Sequence, residues 1–470
     1  MPAAFRVARG PWPGCERMKM STAERDALLQ ALGAGVQQPI LCLPEALEPY
    51  SHDFGRTVRR MPAAVVRARS EQEVVHTLRV ARERGVPISI RGTGHSLRAQ
   101  SLCEGGIVLE NAEGTPDIQV HEDGLVEVTT RTRWAELEAA LNLAGLTAPV
   151  LTDHMATSLG GTLSVAGYGA RSLLQGAHLD QVVRLRLILP DGSARWCSQE
   201  EDGELFRFAL GGFGQVGFIE RVLMRTRPYR PVVRVQLNRY ASLGEMVEAL
   251  SWMTEWEGPG PDHFFGQQKR GEVTSVLGAS HVDAAEAGAT RIPGPPEGMV
   301  RERTHLVVRP GYFIQARTRA EGPLETLPRQ YWSDYCFEYE GLRAFVQYLE
   351  SGPRERIWDD NCLVRMLCLK RGAVRWPFDI RSIGTAPRLY GIGVYYRIEP
   401  GDDARAAMAR EAHQDFLARC LELGGRPYLY GCNELTPQAM QHCYGDAWSR
   451  LKSLRRTLDP DGLLNPGGLP

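Results

Sequence analysis

Leu210-Gly211-Gly212-Phe213-Gly214-Gln215-Val216-Gly217-Phe218 is the stretch on which the fold class turns. It holds a literal GxGxxG from Gly212 to Gly217. That spacing marks a nicotinamide dinucleotide fold only when a strand precedes it and a helix follows. Here the order is reversed: residues 204–210 are spaced as a short helix and 218–225 as a strand. A doubly wound dinucleotide sheet is therefore rejected. The glycines read instead as places where backbone passes close to a bound molecule.

The first third of the chain alternates strands and helices. Ser70-Glu71-Gln72-Glu73 has the form of a capping box and opens a helix that stops near Gly85. Residues 86–90 then form a strand, and 106–109 another. Asp123-Gly124 and Asp191-Gly192 each sit between strand-like runs and predict hairpins. An amphipathic helix spans 134–144, closed by Gly145. Pro228 and Pro231 mark a change of pattern. Beyond them come longer, antiparallel-looking strands (232–237, 263–269, 272–277, 335–338, 362–369, 389–398) with helices at 243–255, 342–349 and 404–423. Residues 287–299, rich in Gly and Pro, predict a surface loop, and 447–458 a last helix. The fold class expected is α+β. Its divisions are a leader over 1–20, a first part over 21–230, a second part over 231–427 and a return to the first part over 428–470.

Two further glycine loops carry polar side chains. The first is Arg91-Gly92-Thr93-Gly94-His95-Ser96, with Gln100 beyond it. Two glycines after a buried strand let backbone approach a ligand, and successive N–H groups can cradle a pyrophosphate. The bland alternative is a surface turn with a solvated histidine. The second is Ser158-Leu159-Gly160-Gly161-Thr162-Leu163-Ser164, preceded by Asp153-His154. Its glycines and hydroxyls offer a second set of donors. Asp153 is either a turn or helix-cap residue, its commonest role in such a setting, or a carboxylate facing the ligand.

Composition excludes other classes. Of 470 residues, 43% are hydrophobic and 24% charged, and the net charge is -1. That suits a globular enzyme and gives nucleic-acid binding no electrostatic support. No apolar run approaches the roughly 20 residues of a membrane span. The first 20 residues lack the apolar core of a secretory signal and read as a disordered leader. Ten cysteines are scattered without a CxxC pair, so neither a disulfide framework nor a metal site is expected, and the expected compartment is the cytoplasm.

The three loops in this order, with the tail Asp459-Pro460-Asp461-Gly462-Leu463-Leu464-Asn465-Pro466-Gly467, resemble the vanillyl-alcohol-oxidase-type FAD-binding oxidoreductases, and among them the cytokinin dehydrogenase branch. The resemblance is strong over 62–225 and from about 428 to 467, and weak between. It implies a two-subdomain FAD-binding domain plus a substrate domain with a large antiparallel sheet covered by helices. It implies that His95 bonds covalently to FAD, through a single histidyl link, because no cysteine lies between Cys103 and Cys197. It further implies cofactor contacts from Arg91, Gly92, Thr93, Gly94, Ser96, Gln100, Ser158, Gly160, Gly161, Ser164, Tyr168, Gly217, Phe218, Tyr430 and Asn465. Asp153 matches the catalytic carboxylate, and burial is expected to raise its pKa. Phe265 stands where plant cytokinin enzymes carry an acidic residue, which points to a more apolar substrate. Trp332 matches a pocket tryptophan, with core packing as the alternative. Gly468 replaces a tail glutamine. The implied reaction is hydride transfer from a C–N bond to FAD, with dioxygen or a quinone as final acceptor, in a monomer or homodimer. Alternatives are an alcohol or sugar oxidase of the same fold and a flavin-binding scaffold without turnover.

Overall fold

The computed structural model describes residues 20–469 except 112–113, 255, 257–260, 290, 309–326 and 353–359. Most of the expected leader lies outside the described residues.

Three sheets organise the chain. The first is parallel, in the order β1 (Ala64–Arg67), β3 (Ile107–Glu110), β2 (Ile88–Arg91). The helix Glu71–Glu83 crosses from β1 to β2. Ser70 caps it by accepting from Glu73 N at 3.3 Å. The expected box is not closed, because the Glu73 carboxylate takes Arg69 N and Gln37 N instead. The second sheet is antiparallel, in the order β4 (Ile118–Val120), β5 (Leu125–Thr129), β9 (Phe218–Arg225), β7 (Val182–Ile188), β8 (Ala194–Ser198). Both expected hairpins are present, with Gly124 and Gly192 at positive φ in their turns. A small pair, β6 (Leu146–Thr147) with β10 (Arg227–Pro228), closes this part.

The third sheet has eight antiparallel strands in the order β14 (Glu302–Val308), β11 (Val232–Tyr240), β13 (Glu272–His281), β12 (His263–Lys269), β16 (Cys362–Lys370), β17 (Arg388–Ile398), β15 (Arg329–Phe337), β18 (Arg426–Pro427). Strict alternation along β16 sends Cys362, Val364 and Met366 into the core and Leu363, Arg365 and Leu367 to the other face. The helices Tyr339–Ser351 and Asp403–Glu422 cover the core face, where Tyr335, Phe337, Phe345 and Phe416 are buried. The fold is thus α+β with a large helix-covered antiparallel sheet, as expected.

Several elements differ from the sequence reading. The helix Thr22–Gly33 and strands β1 and β14 were not foreseen. Strand β15 begins six residues before the expected 335, because Trp332 and Asp334 on its polar face hid the alternation. The helix expected at 243–255 is Leu243–Glu248 followed by a 3-10 turn, and residue 255 lies outside the described residues. The expected loop 287–299 begins inside the helix Ala284–Ala289. The last helix is Pro437–Leu458, broken at Gly445 (φ 46°), so the expected start at 447 marks only its second half. The tail then returns to the first sheet, where Leu464 bridges Ile88.

Candidate active site

A cavity of about 1040 Å³ lies between the three glycine loops and the uncovered face of the eight-stranded sheet. Its lining includes Gly92, Thr93, Gly94, His95, Ser96 and Gln100 from the first loop. Ser158, Gly160, Gly161, Ser164 and Tyr168 come from the second loop, and Gly217 and Phe218 from the third. Tyr430 and Asn465 come from the tail, Phe265 and Trp332 from the sheet, and Asp153 and His154 from the turn at 152–157. Motifs spread over almost four hundred residues of chain therefore converge on one space.

The first loop leaves β2 and is clamped on both sides. Asn465 accepts from Ile90 N at 2.7 Å and donates to Gly214 O at 2.7 Å, so one side chain pins the first loop to the third. Gln100 donates to the Leu429 and Tyr430 carbonyls at 3.4 and 3.2 Å. Arg91, expected among the cofactor contacts, is not among the lining residues. Its guanidinium backs the loop beneath Gly94 and donates to Pro49 O and His52 O at 3.3 and 3.5 Å. The reason is geometric: side chains alternate along β2, and the one before Gly92 points away from the cavity. A Cβ on Gly92 would collide with Ser158 Oγ, which fixes how closely the two loops approach.

In the second loop, part of the expected set of donors is already in use. Leu159 N and Gly160 N are taken by Thr132 O and Thr130 O, both at 2.9 Å. A Cβ on Gly160 would press on Thr130 at 3.1 Å. What this glycine supplies is close packing. The Tyr168 hydroxyl donates to Asp379, which is itself held by Arg381 at 2.6 Å, so Tyr168 presents its ring to the cavity and turns its hydroxyl away.

His95 is half-buried, with its Nε2 shut off from solvent. Its ring stacks on Phe54 at 3.9 Å and lies 4.4 Å from the ring of His154, with Trp332 at 5.9 Å. Burial, helped by His154, pushes its pKa down to about 3. The imidazole is therefore neutral at pH 7, and its Nε2 has no hydrogen-bond partner. Ser158 Oγ is a second buried polar atom without one. Such atoms are costly unless a ligand or water meets them.

Asp153 is not in an apolar setting. Its side chain is 38% exposed and its Oδ2 accepts from Arg365 Nη1 at 2.7 Å. The burial expected to raise its pKa is replaced by an ion pair whose cation comes from β16. A second carboxylate, Asp334, was not singled out from the sequence. It accepts from Tyr395 Oη at 2.5 Å and Tyr430 Oη at 3.1 Å. Burial outweighs these hydroxyls and the nearby Arg365, and pushes its pKa up to about 6. Gly393 stands between Arg365 and Asp334 in the sheet register. A Cβ there would strike both the Asp334 carboxylate and the Tyr395 ring. The signal for Arg365 was an arginine inside an apolar strand pattern; the signal for Asp334 was its place two residues from Trp332, on the same face.

The residues present fit a flavin. Glycine loops open to backbone approach line one half of the cavity, two orphaned polar atoms face it, and a neutral imidazole nitrogen stands where a covalent link could form. Among the described residues no group of three His, Cys, Asp or Glu side chains could hold a metal, and no helix is long and apolar enough to cross a membrane.

Comparison with known proteins agrees with this reading. A family model described as an FAD binding domain matches residues 62–198. The chain is 34% identical over 450 residues to "Uncharacterized oxidoreductase ORF5 in fasciation locus" of Rhodococcoides fascians, covering 88% of this chain and 95% of that one. It is 24% identical to cytokinin dehydrogenase 7 of Oryza sativa subsp. japonica, covering 89% and 88%. Among solved structures, the xylooligosaccharide oxidase of Myceliophthora thermophila C1 superimposes with a TM-score of 0.75 at 16% identity, covering 95% of this chain and 99% of that one. That likeness speaks for the fold alone.

Proposed function

The chain belongs to the vanillyl-alcohol-oxidase-type FAD-binding oxidoreductases, the family of the cytokinin dehydrogenases, and we propose that it oxidises a C–N bond of an amine-type substrate. The observation that carries this reading is the Asp153 carboxylate. It stands at the cavity wall between the His95 loop and the sheet face that carries Phe265 and Trp332. Bound FAD would supply the hydride acceptor at its N5. Asp153 would accept the proton, or the hydrogen bond, of the substrate N–H as hydride leaves the neighbouring carbon. Phe265, Trp332, Leu363 and Leu367 give the substrate side apolar walls and exclude water. Phe265 in place of a carboxylate favours a substrate more apolar than an adenine. His95, neutral and with an unmet nitrogen, is the residue suited to hold the cofactor covalently. Dioxygen or a quinone would take the electrons on, and the working unit is a monomer or homodimer.

A second reading, oxidation of an alcohol or sugar hydroxyl, is favoured by Tyr430. Its hydroxyl rests on Asp334, a carboxylate with a pKa near neutrality, so the pair could take up a proton without Asp153. Anaerobic bleaching of the flavin by N-alkenyl aminopurines, simple secondary amines and alcohols separates the two. Under the amine reading, Asp153→Asn keeps its FAD and slows bleaching by an amine about 100-fold or more. Unchanged bleaching by an amine, or bleaching by alcohols alone that Tyr430→Phe abolishes, sinks it.

A further inference from the structure

Asp153 lies on a turn, yet the group that holds it comes from the middle of the large sheet. Arg365 is on β16, between β12 and β17, and reaches across 212 positions of sequence to the carboxylate. Its strand neighbours on the same face are Leu363 and Leu367, and across the sheet it is flanked by Gln267 and Gly393. A guanidinium with only 20% of its side chain exposed, set among leucines and a glycine, requires an anion. Asp334 is the anion in its own cross-strand row, but that carboxylate is engaged by the hydroxyls of Tyr395 and Tyr430. The guanidinium instead pairs with Asp153.

We propose that Arg365 is a positioning residue for Asp153: it fixes the carboxylate at the cavity wall and keeps it ionised until the substrate meets it. This rests on the reading of Asp153 as the residue that meets the substrate. The guanidinium touches neither reacting atom. It ties the turn at 152–157 to the sheet face against which the substrate would lie, so that substrate and carboxylate share one rigid frame. Among the described residues, the charged and titratable groups that line the cavity with Asp153 include Arg365 from β16, Asp334 from β15, Tyr395 from β17, Tyr430 from the tail, and His95 and His154 from the loops, together with Lys269, Arg270, Asp360, Arg397 and Glu399. Of these Arg365 is the cation bonded to Asp153, at 2.7 Å, and Asp334 is a carboxylate that acts on it in the opposite sense.

The test needs no substrate. The visible absorption of the bound flavin is titrated between pH 3 and 9 in wild type, Arg365→Gln, Arg365→Lys, Asp153→Asn and Arg365→Gln/Asp153→Asn. Thermal unfolding confirms that each variant is folded. Asp334 titrates in all five, so the step belonging to Asp153 is the one lost on Asp153→Asn. In Arg365→Gln that step should move up by about one pH unit or more, and Arg365→Lys should keep it close to its wild-type midpoint. A merely structural arginine would leave the midpoint in place, and an unmoved midpoint in a folded Arg365→Gln overturns the proposal. If Arg365→Gln does not fold, Arg365→Lys decides: a retained step supports the pair, and a step displaced as far as one unit refutes a role for the charge. The reading of Asp153 itself fails separately, if Asp153→Asn leaves the flavin spectrum and its titration unchanged in an otherwise wild-type chain.

Discussion

Replacing Asp334 by Asn should stabilise the protein at neutral pH and lose that advantage in acid. Burial moves the Asp334 pKa from its ordinary value of 3.8 up to about 6. At about 1.4 kcal/mol per pH unit this corresponds to about 3 kcal/mol of stability. The native state holds its proton to higher pH than the unfolded chain does. Stability therefore falls as pH rises from about 4 to about 6, and the full cost is present above that window. Asn carries no charge, so it escapes the cost. Tyr395 and Tyr430 bond more strongly to the ionised carboxylate than to the protonated one, but that difference is already contained in the pKa of about 6, so only a pH-independent remainder separates the two proteins and it drops out of the comparison. The difference in stability between Asp334→Asn and wild type should thus grow by about 3 kcal/mol between pH 4 and pH 7. With an unfolding entropy of about 2 cal/mol/K per residue, that is about 3 °C in Tm for a chain of this size. Scanning calorimetry of both proteins at half-unit pH steps measures it. A difference that stays flat across the range, or shrinks as pH rises, would refute the assignment of a buried, destabilising carboxylate at this place.

Two other outcomes follow from the same geometry. Acid precipitation of the holoprotein should leave the yellow colour with the pellet, and His95→Ala should send it to the supernatant; free FAD from the wild type rules out the covalent link. Gly393→Ala should lower stability by about 1–3 kcal/mol and weaken the Asp334 pairing, since its methyl group must displace that carboxylate or the Tyr395 ring. A variant with unchanged Tm and an unshifted Asp334 transition would show that the sheet face has more room than the register implies.

The glycine loops were legible because the need for them is local. Only glycine lets backbone come as near as Gly92 does to Ser158, and a local requirement leaves a local mark in the sequence. The rejection of the GxGxxG reading was also local, since it rested on the order of helix and strand around Gly212, and the helix Gly203–Ala209 does precede β9. Arg365 and Asp334 could not be placed in the same way. Alternation along β16 or β15 says that a side chain faces the uncovered side of the sheet, but not which residue of a neighbouring strand stands beside it. The row Gln267, Arg365, Gly393, Asp334 exists only once the register of four strands is known. The surroundings of Asp153 were misjudged for this reason: its partner belongs to that row and not to its own turn.

Positions that match a family's ligand contacts do different physical jobs, and the hydrogen bonds of each side chain tell them apart. Asn465 has one acceptor and one donor group. The acceptor meets Ile90 N and the donor meets Gly214 O, so its amide is occupied before any cofactor arrives. Gln100 uses its donor on the tail and its acceptor on Arg98 N. The Tyr168 hydroxyl is committed to Asp379, and the Arg91 guanidinium to carbonyls behind the loop. These four hold the walls of the cavity in place. His95 and Ser158 differ in having a buried polar atom with nothing to meet it. An unmet polar atom at a cavity wall costs about 1–3 kcal/mol until a ligand or water meets it. His95 and Ser158 are thus the side chains with bonding capacity left over at the cavity wall, and Arg91, Gln100, Tyr168 and Asn465 are the frame that holds that wall in place.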